Sequence, residues 1–359
     1  MAATGGQGDR ITLGHQAALR LAADVLMAAR VPPADAETAA RCLVRADLRG
    51  VDTHGMVRLP GYLDRIAKGL VDPAPDLRFD AVAPTAARLD GKAGLGFVVA
   101  SRAMDHAIEL ARTTGLGLVG VHNSTHFGMA ANYLLQAIDA GFAAMVFTNA
   151  SPALPPWGGR GEMFGTSPFA VGVPAGGSLP FVLDMAPTVV ARGKIRKAAR
   201  EGRSIPEGWA LDGAGRPTTD PQAVMDGGVL LPIGGHKGAG LSMLLDILCG
   251  VLTGAQYGGE VGDQYKRFDR PQGVGHFILA MRPDLFLPAD AIAARMADLV
   301  GRVKANPKAA DVDEIFMPGE IEARREAERL AQGIPYRRDD LAPLLERARA
   351  SGIAVPDGL

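Results

Sequence analysis

The chain has 359 residues, 47% of them hydrophobic, which is ample for a large core and, at roughly 150 residues each, about two domains. Its 38 Lys and Arg against 39 Asp and Glu leave a net charge of -1, which excludes the broad basic field needed to hold nucleic acid or an anionic membrane. Any anionic partner must be small and met locally. Only Cys42 and Cys249 occur, far apart and flanked by apolar, helix-like residues, so buried thiols in a reducing compartment are expected rather than a disulfide framework.

In chain order, the opening MAATGGQGDR lacks the basic-then-apolar order of a secretory signal, and cytoplasmic residence is expected. Residues 13–30 read as an amphipathic helix, and 33–49 begin with prolines suited to a first helical turn. From 80 to 120 the pattern turns to short apolar runs broken by Gly and Pro, around one helix at 97–113. Residues 118–121, 143–148, 169–173 and 181–185 read as buried strands, and 130–140 and 238–254 as helices. The most apolar run, 241–255, contains Asp246 and is too short to cross a bilayer. Helices return at 289–305, 320–332 and 339–350, rich in Arg, Glu and Ala.

Several segments could carry chemistry. Gly115, Gly117 and Gly120 in GLGLVG match the spacing of a dinucleotide fingerprint, but they follow a helix and lead into a strand, the reverse of what that motif requires. A helix stop with tight packing is the better reading. In DLRGVDTHGMVRLPGYL, His54 has the side chain that titrates nearest neutrality, and Arg58, four residues on, carries a fork suited to a carboxylate; spacing alone also allows a surface loop with a salt-bridged arginine. In HNSTHFGMAANY, the pair His122 and His126 has no further ligand to complete a metal set. In LPIGGHKGAGLSMLLDIL, Gly234, Gly235, His236 and Lys237 precede a helix, where free N–H groups and a lysine can hold an anion; a plain N-terminal turn is the alternative. Asp184, at the end of an apolar strand in LDMA, needs a partner, structural or catalytic.

Together THGMVRLPGYL, HFGMAANY, FGTSP, LDMAPTVVARGKI, IPEGWALD, GGHKGAGLSMLLDILCG and MPGE, in that order, resemble the non-Rossmann malate/L-lactate dehydrogenase family, which includes ureidoglycolate and sulfolactate dehydrogenases and diketogulonate and piperideine-2-carboxylate reductases. The resemblance implies an α+β fold, in which a family-specific nicotinamide-binding α/β domain at 79–285 joins a mainly helical domain built from 1–78 and 286–359. It implies a homodimer using NAD or NADP, without a metal, on a small 2-oxo acid or cyclic imino acid. His54 maps to the catalytic histidine, Asp184 to its acid/base partner, which would set the tautomer and charge of His54, and His126 to a second candidate proton carrier. Arg58 maps to the carboxylate clamp, with Thr53 and Thr166 near the substrate. Cofactor contacts map to Asn149, Asp184, Met185, Ala186, His236, Lys237, Gly319 and Glu320. The chain departs from the family pattern at Thr53, usually Ser; Ser167, usually Asn; His236, usually aromatic; and Pro187 after DMA. Two rival functions are a catalytically inactive cofactor-binding homologue with a regulatory role and a metal-dependent hydrolase.

Overall fold

The computed structural model describes residues 10–177 and 179–355. At its centre lies a seven-stranded sheet in the order Phe79–Ala83, Ala86–Asp90, Leu116–Ser124, Val274–Met281, Ala143–Thr148, Phe169–Val173 and Phe181–Met185. Only Ala86–Asp90 and Leu116–Ser124 run parallel, joined by the helix Gly96–Thr114, the kind of crossover a parallel pair requires. Every other neighbouring pair is antiparallel. A mostly antiparallel sheet of this order is not the doubly wound parallel sheet of a Rossmann domain, in keeping with the expected α+β class. The glycines of GLGLVG do structural work: Gly115 ends the helix at φ 85°, and a Cβ on Gly117 would lie 1.9 Å from the Ala107 carbonyl oxygen, so helix and strand touch.

The first and last described strands pair. Arg10–Leu13 pairs antiparallel with Ile334–Arg337, so the first expected helix starts only at His15. The helices His15–Ala28, Pro33–Leu48 and Leu59–Ala67 thereby share a layer with Arg338–Ala350, and one apolar core runs from Leu21 and Leu43 through Val119 and Tyr133 to Leu344. Cys42 and Cys249 are free and buried, as expected. Among the described residues no helix is long and apolar enough to cross a membrane.

Two differences from the sequence pattern shape the site. The central strand Val274–Met281 gives no clear alternation in its first half, because its residues 274–276 are all buried. The helix expected over 238–254 runs from His236 to Asp246 and then widens into a π turn, Ile247–Val251. There the Cys249 carbonyl oxygen rests on the strand so closely that a Cβ on Gly275 would lie 1.6 Å from it.

Candidate active site

Strand register gathers the site at one edge of the sheet. Thr148 pairs with His276, Phe147 with Phe169, and Phe169 with Met185. The residues just beyond these strand ends, Asn149, Thr166, Ser167 and Ala186, therefore arrive side by side. Ser124 pairs with Val274, which brings the following loop and His126 to the same edge.

Facing this edge is the turn Asp52–His54, which follows the helix Pro33–Leu48. The fully buried carboxylate of Asp47 holds it: Oδ2 accepts the Met56 N–H at 2.9 Å and the Tyr336 hydroxyl at 2.7 Å. Gly55 passes so near that a Cβ would lie 1.7 Å from Asp47 Oδ1. Burial raises the Asp47 carboxyl to about 7. Arg329 adds hydrogen bonds to the Asp47 carbonyl and the Asp52 carboxylate. Arg58 Nε donates to the Thr53 carbonyl at 2.5 Å, and its guanidinium carbon lies 5.0 Å from the centre of the Tyr265 ring. Its two Nη groups have no partner among the described residues.

His54 Nδ1 lies 2.9 Å from Thr53 Oγ1, and its ring stacks on His126 with centroids 5.7 Å apart. Crowding by protein, reinforced by the Arg58 charge, lowers His54 to about 4, although the residue remains partly open to solvent. Around His126, the Tyr62 hydroxyl is 2.6 Å from Nδ1, and the Gly128 N–H is directed at the same atom at 3.3 Å. A backbone N–H can only donate, so Nδ1 accepts and the neutral ring carries its proton on Nε2. Burial, with His54, Arg58 and His276 nearby, holds His126 well below the ordinary histidine range, and burial pushes Tyr62 upward so that it stays a donor. Beneath them His276 is fully buried, with Thr148 Oγ1 at 2.8 Å from Nδ1 and Ser124 Oγ at 2.7 Å from Nε2; burial lowers it to about 3.

Asp184 Oδ2 accepts the Ala131 N–H at 2.8 Å and so caps the helix Ala131–Asp139, which has no side-chain cap of its own. The surrounding protein pushes its carboxyl up to about 6, while solvent still reaches one side of it. Its bond goes to this helix start rather than to a histidine. The expected control of the His54 tautomer by Asp184 is therefore absent from these contacts; Thr53 lies on His54 Nδ1 instead.

Met185 and Ala186 continue from Asp184. The Ile233 N–H donates to the Pro187 carbonyl at 3.0 Å and Thr188 bridges Pro232, so the turn bearing Lys237 lies against this segment. Gly234 and Gly235 have φ of 58° and 64°, a backbone that side chains rarely adopt, and Lys237 has no ion-pair partner among the described residues. His236 packs edge-on to Trp157 at 5.9 Å. Gly319 fits against Val182, where a Cβ would come within 2.7 Å of Val182 Cβ. Two expected cofactor contacts have committed side chains. Asn149 accepts the Gly275 N–H at 2.9 Å and donates to the Gln256 carbonyl at 2.7 Å. Glu320 takes Lys304 at 2.5 Å, Arg324 at 2.6 Å and the Met317 N–H at 2.9 Å.

The fully buried Ser167 hydroxyl has no partner. That orphaned group, the glycine turn and the unpaired Lys237 suit a ligand with amide and phosphate groups, as a nicotinamide dinucleotide has. Among the described residues no three His, Cys, Asp or Glu side chains come together to hold a metal ion. Tyr62, Tyr265, Gln272 and His276 carry no sequence signal strong enough to select them, with one exception: Tyr62 follows Arg58 by four residues, a helical spacing that could have marked it.

The profile of the malate/L-lactate dehydrogenase family matches residues 13–345. The malate dehydrogenase of Pyrococcus abyssi is 38% identical over 336 residues, which cover 92% of each chain. The ureidoglycolate dehydrogenase (NAD(+)) of Escherichia coli is 34% identical over 299 residues, 83% of this chain and 85% of that one. The solved sulfolactate dehydrogenase from Methanocaldococcus jannaschii superposes with a TM-score of 0.91 at 34% identity, covering 96% of this chain and 98% of that one. Names of relatives specify NAD in some cases and NADP in others. With a profile that spans nearly its whole length and a fold shared throughout, the chain belongs to the malate/L-lactate dehydrogenase family.

Proposed function

We propose that the protein interconverts a small 2-hydroxy acid and its 2-oxo acid, or a cyclic amino acid and its imine. The observation that carries this reading is the unpaired guanidinium fork of Arg58 beside two stacked neutral imidazoles, His54 and His126. When bound, NAD(H) or NADP(H) supplies the hydride acceptor or donor, held by Met185, Ala186, the turn at Gly234–Lys237 and Gly319.

Arg58 binds the substrate carboxylate through its two Nη groups and so sets the distance of the adjoining carbon from the imidazoles. His54, neutral near pH 7, is ready to accept the hydroxyl proton of a 2-hydroxy acid. In the reverse direction a bound carboxylate offsets the Arg58 charge, one of the two causes of the low His54 value, and so draws a proton onto the ring. His126 presents Nε2–H as a donor and is the alternative carrier. Asp184 fixes the helix that follows the His126 loop. The same reading has a homodimer working in the cytoplasm, with helical parts 1–78 and 286–359 closing on 79–285; the buried free thiols suit a reducing compartment, and the pairing of Arg10–Leu13 with Ile334–Arg337 supports the joining of the two helical parts.

A panel of 2-hydroxy and 2-oxo acids with both cofactors, followed by the absorbance of reduced nicotinamide, tests the reading. Turnover is expected with carboxylate-bearing compounds and not with matching simple ketones. His54→Ala should lose about 10²–10⁴ in kcat while still binding cofactor. Full activity in that variant would move the proton to His126 or end the assignment.

A further inference from the structure

We propose that Tyr265 is a positioning residue for substrate recognition: its ring fixes the plane in which the Arg58 guanidinium meets a carboxylate. The inference rests on the reading of Arg58 as the carboxylate clamp. An arginine fork recognises a carboxylate through two parallel N–H···O bonds, which demands a particular plane as well as a particular place. Arg58 has two restraints. Nε is tied to the Thr53 carbonyl at 2.5 Å, which settles one edge, and the Tyr265 ring centre lies 5.0 Å from the guanidinium carbon, which settles the face. What remains is the pair of Nη groups, without a partner among the described residues.

Tyr265 can serve this purpose only if its own segment is rigid, and several contacts make it so although it has no helix or strand. The Asp263 carboxylate accepts the N–H of Tyr265 at 2.7 Å and of Lys266 at 2.9 Å. Arg65, fully buried, donates to the carbonyls of Arg267 at 2.8 Å, Arg270 at 3.2 Å and Gln264 at 3.4 Å. Burying a guanidinium is costly unless its donors are used, and here both Nη groups hold backbone that no regular element supports, while Nε has no partner among the described residues. At the far end Gln272 accepts the His126 N–H at 3.1 Å and donates to the Gly262 carbonyl at 3.2 Å. The segment 263–272 thus links the helix bearing Tyr62 and Arg65 to the loop bearing His126, and sets Tyr265 against Arg58 between them. The Tyr265 hydroxyl has no partner among the described residues and the residue is 43% exposed, so the ring rather than the hydroxyl makes the contact that matters.

The test compares Tyr265→Leu and Tyr265→Phe, using the best 2-oxo acid of the panel as substrate and oxamate as an unreactive probe. Tyr265→Leu should raise KM and weaken oxamate inhibition by roughly 3- to 30-fold, with kcat and the fluorescence-measured affinity for reduced nicotinamide unchanged. Tyr265→Phe, which keeps the ring, should restore the parent values. Retained nicotinamide binding reports that each variant is folded. The proposal is overturned if Leu and Phe behave alike, or if kcat falls while KM stays put. Arg58→Ala separates the two levels: if it leaves KM and oxamate unaffected, the clamp reading itself fails. If Arg58→Ala weakens both and Tyr265→Leu does neither, only the role of Tyr265 is lost.

Discussion

Three imidazoles lie close together in this protein, and burial keeps all of them from charging at neutral pH. For His54 the consequence is directional. A ring lowered to about 4 is an acceptor in the free protein, so on the proposed role of His54 oxidation starts with it in its working form, whereas reduction requires the minor, protonated form. Because kcat/KM reports the free enzyme, kcat/KM for oxo-acid reduction should keep rising as pH falls from about 8 to about 6, following the growing protonated fraction. A pH–rate profile that levels off near 6.5 would show an unshifted histidine and contradict the burial argument. His54, Arg58 and His126 were legible as residues because each stands in a compact local motif. Their partners were not, since Tyr265, Gln272 and His276 lie in a segment more than a hundred residues from any of them.

At the scale of elements, the site is built where regular structure stops. The helix Ala131–Asp139 begins without a side-chain cap, and the strand Phe181–Met185 provides one from outside through Asp184. Asp184→Ala should therefore lower stability by about 1 kcal/mol, measured by denaturant midpoint, in addition to any loss of activity. Unchanged stability would mean that the cap contributes nothing and that the carboxylate is held for chemistry alone. Helices and strands with compact apolar runs were readable within a few residues, including Ala143–Thr148, Phe169–Val173, Phe181–Met185 and Glu320–Gln332. The central strand Val274–Met281 was not, because Val274, Gly275 and His276 are all buried and no alternation marks its start. The short terminal strands Arg10–Leu13 and Ile334–Arg337 are equally silent, each being too brief to show a period.

Over the whole molecule, the pairing of Arg10–Leu13 with Ile334–Arg337 places the residue that steadies the turn bearing His54. Tyr336, on the last strand, reaches Asp47, and Asp47 holds the Met56 N–H just beyond His54. Tyr336→Phe removes a hydrogen bond to a buried carboxylate and should cost about 1–3 kcal/mol. It should also lower kcat with little effect on cofactor affinity, because the turn bearing His54 and Arg58 loosens while the sheet edge does not. Thermal unfolding and steady-state kinetics on the same preparation check both parts, and a variant with parent stability and parent kcat would disprove the link. The amino-acid sequence by itself was enough for the α+β class, the family, the nicotinamide cofactor and the buried thiols, because these are written in composition and in ordered local motifs. Tertiary structure alone decided that Asp184 bonds a helix start, that Tyr62 bonds His126 Nδ1, that Asn149 and Glu320 are committed to protein, and that Tyr265 lies under Arg58. Those are contacts between distant stretches of chain, created by strand register and packing, and no local pattern encodes them.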